Sequence, residues 1–456
     1  MPRLAIVNYR QPRTSLKKGT EDMKTLALDI GTTSISAVVV EDKKVIYSVT
    51  RPNNSKIKAE YSENRLQSAE IITNEILKIR DELVFKFADI ERIGVTGQMH
   101  GILYIDSEKN AVSPLYTWQD KSGELDFNGM SYSDYLSSIT GYKVPSGYGI
   151  VTDFVNRSLK RVPKNAVMIC NIQDYITMKL TGNKTPVTHI SNAAGLGFYS
   201  FDACDFDLSA LQKIGLDRKM LPRVTAEPEI IGTDRNNIPV TVAIGDNQAS
   251  FLGSVRDKNS LLVNIGTGSQ VSVLTDKISV FPGGEVRPFS KNENLLVGAP
   301  LCGGRSYALL KNFFEETLKC FNVNCDDIYA VMGKMAKVSG DDCDLNVDTR
   351  FCGTRNNPDI KGAVLEITEE NFTPQKLTKG FLIGMCNELY SFYEQMKQVK
   401  GEGCTSLVGS GNGVRKNKAL QHYLEKTFNM PLEIPENTEE ASYGAALFAE
   451  SADSEF

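Results

Sequence analysis

The sequence predicts an α/β protein made of two domains of the same design. Three observations carry this. The chain has 456 residues, more than one core organises by default, so two domains of about 200 residues each are expected. Residues 25–40 (TLALDIGTTSISAVVV) are echoed by residues 261–274 (LLVNIGTGSQVSVL), each an apolar run, a polar residue, Ile-Gly-Thr, a small residue, Ser and a second β-rich run. Between the echoes, strand-like and helix-like patterns alternate, which implies helices layered on sheets.

Taken in order, residues 1–22 carry Arg3, Arg10, Arg13, Lys17 and Lys18 before the first acid, Glu21. No apolar core of a secretory signal follows, so a disordered tail or an upstream start codon is expected there, with a targeting peptide as the lesser reading. Each echo predicts a β-hairpin, because its apolar flanks favour strands and its Gly-Thr centre a tight turn. Ala69, Ile72, Ile76, Ile79 and Leu83 recur at helical spacing. IGVTGQMHGILYID (93–106) reads as strand, turn, strand. The polar stretch SVRDKNS (254–260) suggests a boundary dividing 23–256 from 257–456. Downstream come a glycine-rich turn, LVGSGNGVRKN (407–417), and a helix with Leu420, Tyr423, Leu424 and Phe428 on one face. The small residues of EEASYGAALFAE (439–450) predict a helix packed very closely, with Gly444 at the contact.

Composition excludes several functions. A net charge of −5 argues against a nucleic-acid or anionic-membrane surface, since both need clustered positive charge. No apolar run approaches the roughly 18 residues of a membrane span. Nine cysteines without a CxxC pair, and three histidines (His100, His189, His422), give no zinc pattern. They read as reduced thiols in a reducing compartment, the cytoplasm.

Chemistry concentrates at a few places. Turns of Gly, Thr and Ser offer backbone N–H groups and hydroxyls suited to phosphate oxygens, and no GxxxxGK[ST] occurs to supply a P-loop instead. Two such turns, facing each other across a cleft, could hold phosphates from both sides. Asp29 closes the first strand, where a carboxylate holds Mg²⁺, directly or through water, or caps the turn. Asp246, in VAIGDNQAS (242–250), sits at a strand end after a flexible Gly. It suits a base for an attacking hydroxyl, or a helix N-cap. Gln98, Met99 and His100 lie between glycines, which permits close approach to a ligand. Trp118, the only tryptophan, stands in TWQD (117–120) beside Asp120. An aromatic face next to an amide and a carboxylate suits a sugar, although a core Trp reads the same way.

Together, ALDIGTTS (27–34), VTGQMHG (95–101), TWQD, GDNQAS (245–250), NIGTGS (264–269), GSGNGVRKN (409–417) and EASYGAALFA (440–449) resemble the FGGY carbohydrate kinases. The likeness runs in family order over the chain after Met23. It implies two RNase H-like, actin-type ATPase domains around a central cleft, the first binding sugar and the second nucleotide. It implies ATP and Mg²⁺ as cofactors, Asp246 as catalytic base and Asp29 assisting Mg²⁺. Gln98, Met99, His100, Trp118, Asp120 and Asn247 would line the sugar pocket. Thr32, Thr33, Gly266, Thr267 and Gly268 would contact phosphates, and Gly411, Asn412 and Asn417 would border the adenosine. NIQDYITMKLTG (171–182), HISNAAGLGFYS (189–200) and RFCGTRNNP (350–358) are most similar to the family's sedoheptulose-phosphorylating members, with two departures: His-Ile-Ser stands where relatives often carry an Asp, and the second turn has Gly-Thr-Gly where some carry other small residues.

The expectation is therefore a cytoplasmic ketose kinase, monomeric or homodimeric, acting on a small-molecule sugar. A xylulose or gluconate kinase is the alternative within the family. An actin-like or chaperone-like ATPase shares the paired hairpins but has no use for GQMHG, TWQD and GDNQ. A non-catalytic sugar sensor has no use for an intact Asp246 and both phosphate turns.

Overall fold

The first echo forms strands β1 (Thr25–Ile30) and β2 (Ser34–Glu41), paired antiparallel about the turn Gly31–Thr33. They belong to a computed structural model that describes residues 23–337, 343–354, 357 and 359–453. The tail expected over 1–22, and residues 355, 356 and 358 of the RFCGTRNNP segment, lie outside the described residues. Strands β3 (Lys44–Pro52), β4 (Arg92–Gly97), β5 (Ile230–Thr233), β6 (Pro239–Thr241) and β7 (Ile244–Gly245) complete a sheet in the order β5-β6-β4-β1-β2-β3, with β7 also pairing β4. β4 runs parallel to both β1 and β7.

The second echo repeats the plan. β8 (Ser260–Ile265) and β9 (Ser269–Thr275) form a hairpin. With β10 (Gly284–Pro288), β11 (Asn294–Gly298), β12 (Ser406–Ser410) and β13 (Leu432–Glu433) they make a sheet ordered β10-β11-β9-β8-β12-β13. As β1 has β4, so β8 has a parallel neighbour, β12. The likeness thus extends past the hairpin to the strand beside it.

Both hairpins are apolar along their first strand because both faces are covered. Leu26, Leu28 and Ile30 pack on helix α1 (Ala69–Lys86) through Ile72, Ile76 and Ile79. Ala69 and Leu83 are buried with them, so the whole face expected from the helical spacing turns inward. Ser68 caps α1, its hydroxyl accepting from the Ile71 N–H at 3.2 Å.

The short helix α2 (Ile190–Leu196) precedes α3 (Asp246–Ser254), which lies between the sheets. Its Ala249 joins a cluster with Ala27, Val38 and Val40 of the first sheet, while Phe251 joins Leu262, Leu274 and Val297 of the second. The second sheet's other face is covered by α4 (Gly304–Cys320), α5 (Pro374–Lys400) and α6 (Lys418–Phe428). Leu420, Tyr423, Leu424 and Phe428 are the buried face of α6, as their spacing predicts.

The last helix, α7 (Glu440–Glu450), leaves the second sheet and packs on α3, with Ala445, Ala446 and Phe448 against the first sheet. Arg92 Nη1 donates to the Ala449 carbonyl at 2.9 Å, and the Ser36 and Ser442 hydroxyls pair at 3.1 Å. A Cβ on Gly444 would stand 1.8 Å from the Ala249 carbonyl oxygen, and one on Gly253 2.0 Å from that of Glu440. The two backbones touch, and only glycine fits at either contact.

Candidate active site

Parallel pairing aligns the carboxyl ends of β1, β4 and β7, and three expected residues sit at those ends. Asp29 lies opposite Thr96, the Gln98 N–H donates to the Ile30 carbonyl at 2.9 Å, and Asp246 follows β7 as the first residue of α3. In an α/β sheet this edge is where ligands bind.

The segment that departs from the expected Asp anchors β7. Ser191 accepts from the Gly245 N–H at 2.9 Å, and its own hydroxyl is 2.8 Å from His189 Nδ1. The buried His189 also takes the Ser191 N–H on Nδ1, so its proton is on Nε2, facing the Ala226 carbonyl. Burial lowers its pKa to about 4, consistent with a neutral ring. Asn192 donates to the Ala243 carbonyl at 2.8 Å and accepts from Gln173 at 2.9 Å. His189, Ser191 and Asn192 therefore fix the strand that presents Asp246.

The two carboxylates are electrostatically unlike ordinary ones. Burial raises the Asp29 pKa to about 7, helped by the negative charges of Asp246 and Glu439. Burial raises Asp246 to about 6, opposed by the cation of Arg287 and by the Asn247 N–H. Arg287 comes from β10, the edge of the other sheet, which docks on the first turn of α3 where Gln248 Nε2 donates to the Pro288 carbonyl at 2.9 Å. Two buried acids with raised pKa values, one of them raised further by the other's charge, suit a divalent cation, whose charge would relieve both.

Around them lies a mixed polar and aromatic wall. Met99 is buried, its sulfur 2.8 Å from where a Cβ on Gly245 would be. His100 adopts a left-handed φ of 74°, stacks on Tyr148 with centroids 4.4 Å apart, and donates from Nδ1 to the Gly195 carbonyl at 2.8 Å. Trp118 is 48% exposed, with an open indole face, and its Nε1 donates to Thr32 Oγ1 at 3.0 Å. Asn247 Oδ1 is buried without a partner among the described residues, an acceptor left over for a ligand. Asp120 is set back. Its carboxylate accepts from Asn64 Nδ2 at 2.9 Å, the Arg65 N–H at 3.3 Å, the Ser122 N–H at 3.0 Å and the Ser122 hydroxyl. It organises the loop that carries Trp118.

The second hairpin borders a cavity of about 1030 Å³ lined by Gly266, Thr267, Gly411, Asn412 and Asn417. Backbone crowds its rim: a Cβ on Gly304 would stand 2.0 Å from the Gly266 carbonyl oxygen, and one on Gly411, at φ 82°, 2.6 Å from that of Ile265. Gly268 closes the turn, its carbonyl accepting from the Gly266 N–H at 2.9 Å. Asn417 caps α6, accepting from the Leu420 N–H at 3.0 Å. Tyr307 and Tyr329 stack 5.9 Å apart on one wall, while Lys334, Lys337, Lys416 and Lys418 bring positive charge. A cavity this size, apolar on one side and basic on the other, accommodates a nucleotide.

Arg287, Tyr307, Tyr329 and Gln67, whose Nε2 donates to the Thr32 carbonyl at 2.8 Å, escaped sequence reasoning, and Ser191 was visible only as part of the His-Ile-Ser departure, without its role. The first four sit in no quoted motif, and each reaches its site through a contact that the fold supplies.

Two like lobes, with acids at strand ends on one and a glycine-rimmed, nucleotide-sized cavity on the other, define a phosphotransferase of the actin-type ATPase fold. The N-terminal domain model of the FGGY family of carbohydrate kinases matches residues 24–253, and its C-terminal domain model matches residues 261–452. The chain belongs to this family and is an ATP-dependent carbohydrate kinase. It is 26% identical to the sedoheptulokinase of Mus musculus, over 93% of this chain and 96% of that one. It is 24% identical to the xylulose kinase of Staphylococcus xylosus, over 93% and 90%. The ligand-bound xylulose kinase from Lactobacillus acidophilus superposes with a TM-score of 0.79 at 18% identity, covering 94% of this chain and 89% of that chain. Among the described residues, no helix is long and apolar enough to cross a membrane.

Proposed function

We propose that the chain transfers the γ-phosphate of ATP to the terminal hydroxyl of a ketose, with sedoheptulose giving the 7-phosphate as the preferred reaction and xylulose as the second reading. The observation that carries the proposal is Asp246. It is a partly buried acid at a parallel-strand end, held by Ser191 through Gly245 and kept anionic near neutral pH by Arg287. As base, its carboxylate takes the proton of the attacking hydroxyl while Asn247 and His100 orient the sugar. Trp118 supplies the platform for the carbon chain, Met99 and Gln98 the floor, and Asp120 the brace beneath the Trp118 loop.

Residues 23–256 act as the sugar domain and 257–456 as the nucleotide domain, with α7 returning to the first sheet. Thr267, with Gly266 and Gly268, cradles phosphate, and Gly411, Asn412 and Asn417 border the adenosine. Asp29 fits Mg²⁺, directly or through water, because its raised pKa marks an acid in want of a cation. When bound, that ion neutralises charge on the transferring phosphate. The nine free cysteines favour a reducing, cytoplasmic setting.

The test is kcat/KM measured side by side for sedoheptulose, xylulose, ribulose, gluconate and glycerol. Sedoheptulose should lead. A tenfold lead for xylulose replaces the substrate but keeps the ketose class, and a lead for glycerol or gluconate removes it.

A further inference from the structure

A closed circuit of side-chain hydrogen bonds joins the acceptor face to the first phosphate turn. Trp118 Nε1 donates to Thr32 Oγ1 at 3.0 Å. Thr32 Oγ1 donates to Gln98 Oε1 at 3.2 Å, and Gln98 Nε2 donates to Gln67 Oε1 at 2.7 Å. Gln67 Nε2 then returns to the backbone carbonyl of Thr32 at 2.8 Å. Both glutamines are only 3% exposed.

The direction of every bond is fixed by chemistry. An indole N–H can only donate and a backbone carbonyl can only accept, so the circuit runs one way from Trp118 to the Thr32 carbonyl. A hydroxyl has one proton, and Thr32 spends it on Gln98. To donate to a phosphate oxygen, Thr32 would have to break the circuit and strand a buried amide oxygen. Thr33, next along the turn, is exposed and faces no such conflict.

We propose that Thr32 is a positioning residue: it couples Trp118 to the shape of the Gly31–Thr33 turn, and Thr33 supplies the phosphate-facing hydroxyl. Gln67, remote from any motif, is the residue that locks the circuit to the turn's backbone. A sugar covering the indole face excludes water from the Trp118–Thr32 bond and so holds the turn in place for transfer. Sugar occupancy thereby prepares the phosphate site within the same domain. This last step rests on the acceptor reading above.

Trp118 is the only tryptophan, so intrinsic emission reports on its N–H bond directly. In the full-length protein without ligands, Thr32→Val and Gln67→Met should each shift the Trp118 emission maximum, with unchanged far-ultraviolet circular dichroism. In turnover with ATP and the best sugar of the panel, both variants should lower kcat about tenfold while changing the KM for ATP less than about twofold. Thr33→Val should do the reverse and raise the KM for ATP. Trp118→Phe, which keeps a ring and loses only the donor, should share the kcat loss of Thr32→Val. The proposal is overturned if Thr32→Val raises the KM for ATP as much as Thr33→Val does. It is also overturned if Gln67→Met leaves emission and kcat unchanged. If no sugar in the panel is phosphorylated yet the emission shifts occur, the circuit stands and the acceptor reading falls.

Discussion

Glu285 clamps Arg287 in place: one carboxylate oxygen accepts from the guanidinium Nε at 3.0 Å and from Nη2 at 2.8 Å. Both residues are on β10, at the edge of the second sheet, yet the field of that guanidinium falls on Asp246 of the first. The proposed base is thus tuned by a residue from the opposite lobe. Burial acts to keep Asp246 protonated, as burial and the charges of Asp246 and Glu439 do for Asp29, and at Asp246 the Arg287 cation opposes it. A base must be ionised to work, so kcat/KM falls as pH drops through about 6. Arg287→Gln removes the opposing cation, so the acidic limb should move to higher pH, by about half to one unit. Arg287→Lys should restore most of it. A limb that stays in place while activity falls would mean that Arg287 acts on the sugar rather than on the base.

Asp246→Asn should keep the fold and lower turnover by roughly 10²–10⁴, the usual scale for losing a general base. It should also stabilise the protein at alkaline pH. The folded pKa, about 6, lies above the unfolded value of 3.8. The native state therefore holds the proton more tightly, and wild-type stability falls as pH rises between those values. At pH 8 the ionised, buried Asp246 costs on the order of 1–3 kcal/mol, which the neutral amide removes. The Tm of the variant should exceed that of wild type at pH 8, and the gap should close toward pH 4. A variant with near-wild-type turnover would end the base assignment, and an unchanged Tm at pH 8 would end the electrostatic one.

Thr267→Val tests the second turn. Thr267 lines the cavity beside the second hairpin, and its carbonyl already accepts from the Arg305 N–H at 3.1 Å, so the backbone of the turn survives the change. Only the hydroxyl is lost. The KM for ATP should rise by the equivalent of about 1 kcal/mol or more, roughly five- to tenfold, with that for sugar little changed. If the sugar KM moves instead, the two ligand sites are reversed.

The hairpins were legible because IGTTS and IGTGS interrupt long apolar runs, and a run buried on both faces leaves that trace in composition. The buried face of α1 was legible because Ala69, Ile72, Ile76, Ile79 and Leu83 repeat at helical spacing. Arg287 was not legible: its importance comes from β10 docking on α3, a pairing that no local pattern announces. TWQD was legible as a motif, but the direction of Asp120 was not, because Asn64, Arg65 and Ser122 decide it. The His-Ile-Ser departure is resolved only by the Ser191 bond to the Gly245 N–H, which lies 54 residues along the chain.

The contact between α3 and α7 gives the last prediction. Gly444 faces the Ala249 carbonyl and Gly253 faces that of Glu440, so each helix presents a glycine to the other's backbone. A methyl group at either position meets backbone oxygen at 2.0 Å or less, and backbone cannot rotate aside as a side chain can. Gly444→Ala should therefore destabilise despite alanine's better helix propensity, by about 1–3 kcal/mol, the scale of overpacking. Gly253→Ala should behave alike. Their effects should not add, because the first methyl already parts the helices and makes room for the second. Gly333→Ala is the control: it is also helical, and a Cβ there meets nothing within 4 Å, so propensity alone should act and stability should hold or rise. Thermal unfolding of these three variants and of the Gly253→Ala/Gly444→Ala double variant decides it. Since α3 begins with Asp246 and touches both sheets, parting it from α7 should also lower kcat in Gly444→Ala at temperatures well below its Tm. Equal stability of Gly444→Ala and Gly333→Ala would show that the helices have room to spare, and that the glycines are not what brings the two lobes together.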